Sequence, residues 1–314
     1  MSTARYVLRR VVWTVFAAYL VLTGAFLLFV FTPDATEQVT VRFYGLQQAL
    51  SAYDGPQLGA ALFERYVSFL VGYLTLDLGT TMRGEPVADA IARTAPITLT
   101  YVVPGILLGN LLGVAAGHVA GMVRGKTDAL VSTLSYVGNG VPAFFLGEFA
   151  VATFITQLSW YETYYDSRFE LLSADNLVSL TLPAAVVAVN ILAVQARQSR
   201  AQTVEFADAE FVKTFRAGGA RLRDQSRHVL RNAALPLLSL FVTETLTILF
   251  ISIVVVELVF RVPGLGQLTY DAIVRQDLPL ILATTLIPVF VGLLGNLAQD
   301  VAAALLDPRT EQHT

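Results

Sequence analysis

Charged residues along this chain fall in clumps, and the intervals between the clumps are long. No Asp, Glu, Lys or Arg occurs from Val11 to Pro33, Thr94 to Val123, Ala129 to Gly147, Asn176 to Ala196 or Leu278 to Gln299. Each window is near or above the roughly 20 residues that a helix needs to cross about 30 Å of hydrocarbon. A sixth apolar stretch, Leu235 to Phe260, is interrupted only by Glu244 and Glu257. The pattern predicts an all-α membrane protein with six transmembrane helices. It divides the chain into residues 1–93, a first span with an external segment, and residues 94–314, a five-helix core carrying a polar loop at 197–235.

The polar intervals have patterns of their own. In "LFERYVSFLVGYLTLDLG", Phe63, Tyr66, Val67, Leu70, Leu74 and Leu78 recur near helical spacing, which predicts an amphipathic helix resting on the membrane surface or on the other spans. From Thr156 to Asp175, aromatic and acidic residues mix as they do in an interfacial belt. Between Arg197 and Pro236, Val204, Phe206, Phe211, Val212, Phe215, Leu222, Val229 and Leu230 fit short amphipathic helices, which Gly218 and Gly219 break in two. Pro236 suits the first turn of the next transmembrane helix, where its missing N–H does no harm.

Composition supports the membrane assignment: 55% of the residues are hydrophobic and 14% charged, and the mean hydropathy is +0.61. The first window follows Arg5, Arg9 and Arg10, but it is longer than a signal-peptide core and lacks a small-x-small cleavage site, so it reads as a retained span. With no cysteine and with His118, His228 and His313 scattered, neither disulfides nor a metal centre is expected.

Orientation follows from Lys and Arg in short loops. Six spans place both termini, the 124–126 loop and the 197–231 loop on one side, with 14 of the 21 basic residues. That side is expected to be cytoplasmic. From physics alone the 197–235 loop fits two roles equally, attraction to anionic lipid headgroups or docking on a protein surface.

The same loop resembles the cytoplasmic signature loop of ABC importer permeases, of the dipeptide, oligopeptide and nickel group. The matching positions are Phe211-Val212-Lys213-Thr214, Arg216-Ala217, Gly219, Arg227-His228, Leu230-Arg231-Asn232-Ala233 and Leu235-Pro236. Gly218 stands where that family usually has a basic residue, and Phe215 and Ala220 where it usually has Ala and Leu. Further likenesses run in order along the chain: "RYVLRRVV", "LDLGTTMRGEPVADAI", "GVPAFFLG", "VVVELVFRVPGLGQL" and "LLDPR". The resemblance implies an ATPase-coupling role for Lys213, Thr214, Arg216, Gly219, Arg227, His228, Arg231, Asn232 and Pro236, and an external turn at Glu257, Pro263, Gly264 and Gly266.

It further implies a multi-pass permease subunit of a prokaryotic plasma (inner) membrane, both termini cytoplasmic. The partners would be a second homologous permease subunit, two ATPase subunits, an extracytoplasmic substrate-binding protein and membrane lipid, but no nucleic acid. The chain would be no enzyme: ATP and Mg would sit on the partner ATPases, and no cofactor on this chain. Di- or oligopeptides are the favoured substrate, with nickel, sugars, opines and glutathione left open.

Individual residues narrow the chemistry. "GMVRGKT" ends as a phosphate-binding loop does, but position 120 is Ala where that motif needs Gly, so it reads as a tight turn. Glu148, Glu244 and Glu257 lie in or at the ends of spans, where a buried charge is costly and must face the bundle interior, a wet cavity or the interface. Glu244, Glu148 and Asn190 are candidate pathway residues; Asn139, Gln195 and Asn296 fit bonds between helices. Pro104, Pro142, Pro183 and Pro288 are expected to kink or interrupt their spans. An ion-coupled secondary transporter using Glu148 or Glu244 is the alternative, but it predicts inverted repeats and leaves the loop unexplained. A membrane anchor that only scaffolds partners would use the loop and leave the intramembrane carboxylates unexplained.

Overall fold

The computed structural model describes residues 3–31, 56–157, 164–247 and 253–306, and among them the secondary structure is helical apart from one isolated antiparallel bridge, Thr80 to Pro86. Among the described residues, four helices are long and apolar enough to cross a membrane, and counting each of two broken pairs as one span gives six. The chain forms two compact units, one from Met1–Pro96 and Pro263–Ala304, the other from Ile97–Val262.

In the first unit, α1 (Thr3–Phe31) packs on α2 (Pro56–Leu74). Leu22, Ala25 and Phe26 bury against Phe69, with Leu286 from the C-terminal helix joining them. Tyr66, Phe69, Leu70 and Tyr73 follow the i, i+3, i+4, i+7 rule and make this contact, with Phe26 5.2 Å from Tyr66 and 5.5 Å from Phe69 between ring centres. The Thr23 and Tyr66 hydroxyls meet at 2.6 Å. The amphipathic segment therefore exists, but its inward face differs from the one its spacing predicts. Phe63, Val67 and Leu74 are exposed, because the helix carries two apolar stripes and the aromatic one fills the groove.

A tight turn precedes α3 (Val87–Val123). Gly79 and Gly84 adopt positive φ there, and the Met82 amide donates to the Asp277 carboxylate at 2.8 Å. Val87 and Ala90 pack against Ala272, Leu280 and Ala283. These belong to the last two helices of the described chain, Leu265–Arg275 and Leu278–Leu306.

The second unit holds the rest of α3, α4 (Gly125–Gly140), α5 (Ala143–Ala150, continued as a π-helix over Val151–Gln157), α6 (Ala174–Ser179) and α7 (Thr181–Ala207). The chain continues through α8 (Glu210–Ala217), α9 (Leu222–Thr247) and α10 (Ile253–Phe260). The core gathers Tyr101, Val102 and Ile106 of α3, Val186, Val187 and Ile191 of α7, and Ile253, Val256 and Phe260 of α10.

Helix α3 meets α7 through Gly105, Gly109, Gly113, Gly117 and Gly121, five glycines at four-residue intervals. A Cβ on Gly105 would lie 2.8 Å from the Ala184 carbonyl oxygen, one on Gly109 2.6 Å from that of Ala188, and one on Gly117 would overlap that of Ala196. Small residues at i, i+4 let two backbones approach closely, and in lipid such packing supplies much of the attraction between helices. The Ser199 hydroxyl donates to the Val114 carbonyl at 2.9 Å within this seam.

Three sequence expectations change here. The third predicted span, Ala129–Gly147, is not one helix: it breaks at Val141-Pro142, and Gly125–Gly140 meets Ala143–Ile155 at 94°. Val141 is extended, as the residue before a proline tends to be. Pro236 does not start a helix, since α9 already begins at Leu222 and carries Pro236 inside it. Pro183 sits in the first turn of α7, where its missing N–H costs nothing, while α3 and the last helix run on through Pro104 and Pro288.

Candidate functional site

The polar loop between α7 and α9 folds as a helical hairpin. Val212 of α8 and Val229 of α9 are fully buried and pack with Ala207, Phe206, Phe211 and Met122. This small apolar cluster fixes the hairpin to the end of α3. The turn is a Schellman motif: the Ala220 amide donates to the Phe215 carbonyl at 3.0 Å and the Gly219 amide to that of Arg216 at 3.1 Å. Gly219 occupies the left-handed position with φ +76°, which glycine takes without the Cβ penalty. Gly218 has ordinary φ, and a Cβ there would meet its nearest neighbours at 3.5 Å. The glycine that the turn requires is therefore Gly219 alone. Gln225, buried, donates to the Ala220 carbonyl at 2.8 Å and ties the second arm to the turn.

With one face buried, the opposite face is exposed and carries the predicted coupling residues Lys213, Thr214, Arg216, Gly219, Arg227, His228, Arg231 and Asn232. Phe215 stacks on His228 with ring centres 4.6 Å apart. Lys213 pairs with Glu210 at 2.6 Å, and this bond holds the ammonium group above its usual range. Thr214 donates to the Glu210 carbonyl, and Asn232 to that of His228. Pro236, half-buried in α9, stands apart from this face.

Two ion pairs brace the base of the hairpin. Arg124 donates to Asp208 at 2.6 Å and, chiefly through that hydrogen bond, holds its carboxyl below the ordinary carboxylate range. Arg200 grips Asp128 through two nitrogens, Nε to Oδ1 and Nη2 to Oδ2, the second at 2.8 Å. A guanidinium fork matches a carboxylate in this way. The sequence reading counted Arg124 and Arg200 only as positive charge and missed both partners.

Of the candidate pathway residues whose side chains are described, Glu148 and Asn190 share no hydrogen bond. Glu148 is exposed on α5 beside exposed Phe144, Phe145 and Phe149. Asn190 is half-buried and donates to the Val186 carbonyl of its own helix at 3.0 Å. Glu244 belongs to α9, but its side chain lies outside the described residues. Asn139 and Asn296 are exposed, while the fully buried Gln195 keeps an Oε1 without a hydrogen-bond partner.

Glu257 has no exposed surface: Thr98 donates to its Oε1 at 2.6 Å and Tyr101 at 3.1 Å. Its backbone carbonyl accepts from the Val262 amide at 2.9 Å. Its carboxylate is thus engaged by α3. Pro263 and Gly264 lead into the helix Leu265–Arg275, where Gly266 is buried. The matched Asp307, Pro308 and Arg309, and His313, lie outside the described residues. Among the described residues, no group of three or more His, Asp or Glu is placed to hold a metal ion.

A helical chain with several membrane-crossing segments and a folded basic hairpin between two of them defines a membrane protein of the permease class. Residues 109–312 match the family described as binding-protein-dependent transport system inner membrane component, and the chain belongs to that family. It is similar to the oligopeptide transport system permease protein AppB of Bacillus subtilis, 30% identical over 79% of this chain and 80% of the relative. It is also similar to the dipeptide transport system permease protein DppB of the same organism, 28% identical over 99% of both chains. The glutathione transport system permease protein GsiC of Shigella flexneri is 30% identical over 80% of each. The chain is accordingly a transport subunit and not an enzyme.

Proposed function

We propose that this chain forms one half of the pathway of an ATP-driven importer of short peptides, that it pairs with a second homologous permease, and that two ATPase subunits dock on the two permeases' hairpins. The observation that carries this reading is the hairpin itself. It is held by a buried apolar cluster and a glycine turn, and it presents Arg216, Arg227, His228 and Arg231 on one exposed face. A loop that only met lipid headgroups would need charge but no folded face. ATP and Mg belong to the ATPases, and a binding protein delivers substrate at the opposite membrane surface. The basic bias supports a cytoplasmic position for the hairpin and both termini. Peptide as the substrate class is supported by the named relatives.

Purification of the complex tests the reading. The chain is expected to copurify with a second permease and ATPases, and a binding protein is expected to stimulate ATP hydrolysis. Arg227→Ala should cut uptake per ATP hydrolysed several-fold. Purification of the chain alone, with uptake driven by a proton or sodium gradient, would reject the importer reading and turn attention to Glu148 and Glu244.

A further inference from the structure

His118 is a buried imidazole near the end of α3, in a window without Asp, Glu, Lys or Arg. Its Nδ1 lies 3.0 Å from Thr203 Oγ1 and its Nε2 2.7 Å from Ser226 Oγ. Thr203 is near the end of α7, just before the hairpin; Ser226 is in the first turns of α9, just after the hairpin turn. A neutral imidazole donates from one nitrogen and accepts at the other, and a hydroxyl can take either role, so both contacts are satisfied at once. One side chain on α3 thus bridges the helix that leads into the hairpin and the arm that leaves it.

The surroundings make this bridge directional. On the Thr203 side α3 and α7 are already locked: Gly117 and Gly121 lie against Ala196, Ser199 and Thr203, with no room for a side chain. On the Ser226 side the hairpin is held to α3 by a small cluster that includes Met122 and Val229, and its outer face is exposed. α9 also packs along α7, so a displacement applied at the exposed face reaches α3 through Ser226 and His118 Nε2 and reaches α7 directly.

We infer that His118 is a positioning residue for coupling, transmitting displacement of the docking hairpin through Ser226 into α3 and the α7 helix packed on it. This rests on the proposed importer function, but the bridge belongs to the transport cycle and not to docking. The ATPase-facing surface does not include His118.

The test uses the complete complex in proteoliposomes, with labelled trialanine as the transported probe and ATP hydrolysis measured with and without the binding protein. His118→Ala is expected to assemble with its partners and keep basal hydrolysis, while losing at least five-fold of the binding-protein stimulation and of uptake per ATP. His118→Gln places an amide near the Nε2 position and should recover most of the coupling. His118→Asn places one near Nδ1, facing Thr203, and should not. Ser226→Ala should match His118→Ala, which a general loss of folding at His118 would not predict. Unchanged stimulation in His118→Ala, or equal rescue by Asn and Gln, would overturn the inference and leave the importer reading standing. A wild-type complex with ATPases but no trialanine uptake would reject only the peptide assignment, because stimulated hydrolysis still reports coupling. A wild-type complex without ATPases would overturn both.

Discussion

Gly218 and Gly219 are adjacent, identical in composition, and opposite in what the backbone asks of them. Only Gly219 has positive φ, where a side chain costs about 1 kcal/mol. Gly219→Ala should therefore lower the thermal midpoint of the complex by a few degrees and loosen the hairpin. Gly218→Lys, which restores the basic residue usual in the resembling family, should leave the midpoint unchanged, as a melting series on both variants would show. The sequence made the break legible but not which glycine makes it, since φ is a property of the turn.

Glu257 shows a similar limit. Its place in an apolar run marked it as special, but its partners Thr98 and Tyr101 lie more than 150 residues away in the chain. Glu257→Ala would leave two buried hydroxyl donors without this acceptor, at about 1–3 kcal/mol each. Glu257→Gln keeps an oxygen in place. The Ala variant should lose most of the monodisperse complex on size exclusion and the Gln variant should keep most of it; equal recovery would show that the bonds carry no stability.

At the scale of elements, the seam between α3 and α7 is the clearest case of information present in the sequence and left unread. Gly105, Gly109, Gly113, Gly117 and Gly121 recur every four residues, but a search for charge-free windows treats them as neutral filler. Their meaning depends on a second helix whose carbonyls approach them. Gly117→Leu should force the helices apart, at a cost of 1–3 kcal/mol or more for overpacking, and should lower the folded yield. The same change at Gly24, which has open space around it, should be tolerated; comparing the two yields checks the claim. The third span failed for a different reason. Apolar length identified a segment able to cross a membrane, but the break at Pro142 makes it two helices that meet at 94°.

At the scale of the whole molecule, what remains is which of the many exposed apolar faces meets lipid and which meets the second permease or the pathway. Sequence hydropathy cannot separate these, because all three surfaces are apolar in composition; an ionisable group on such a face can. Glu148 lies exposed among Phe144, Phe145 and Phe149. A carboxylate facing hydrocarbon costs on the order of 2.5 kcal/mol or more, by comparison with Asp on insertion scales. If that face met lipid, Glu148→Leu would remove the penalty and raise the thermal midpoint with transport unchanged. If it lines the pathway, the role for which the sequence made it a candidate, Glu148 is hydrated or paired in the assembly and the change brings little stabilisation. Glu148→Gln should then reduce uptake of a peptide with a free, cationic amino terminus at least three-fold relative to its N-acetylated form, with stimulated ATP hydrolysis preserved. Equal effects on the two peptides would remove Glu148 from the pathway and reassign its face to the contact between permeases.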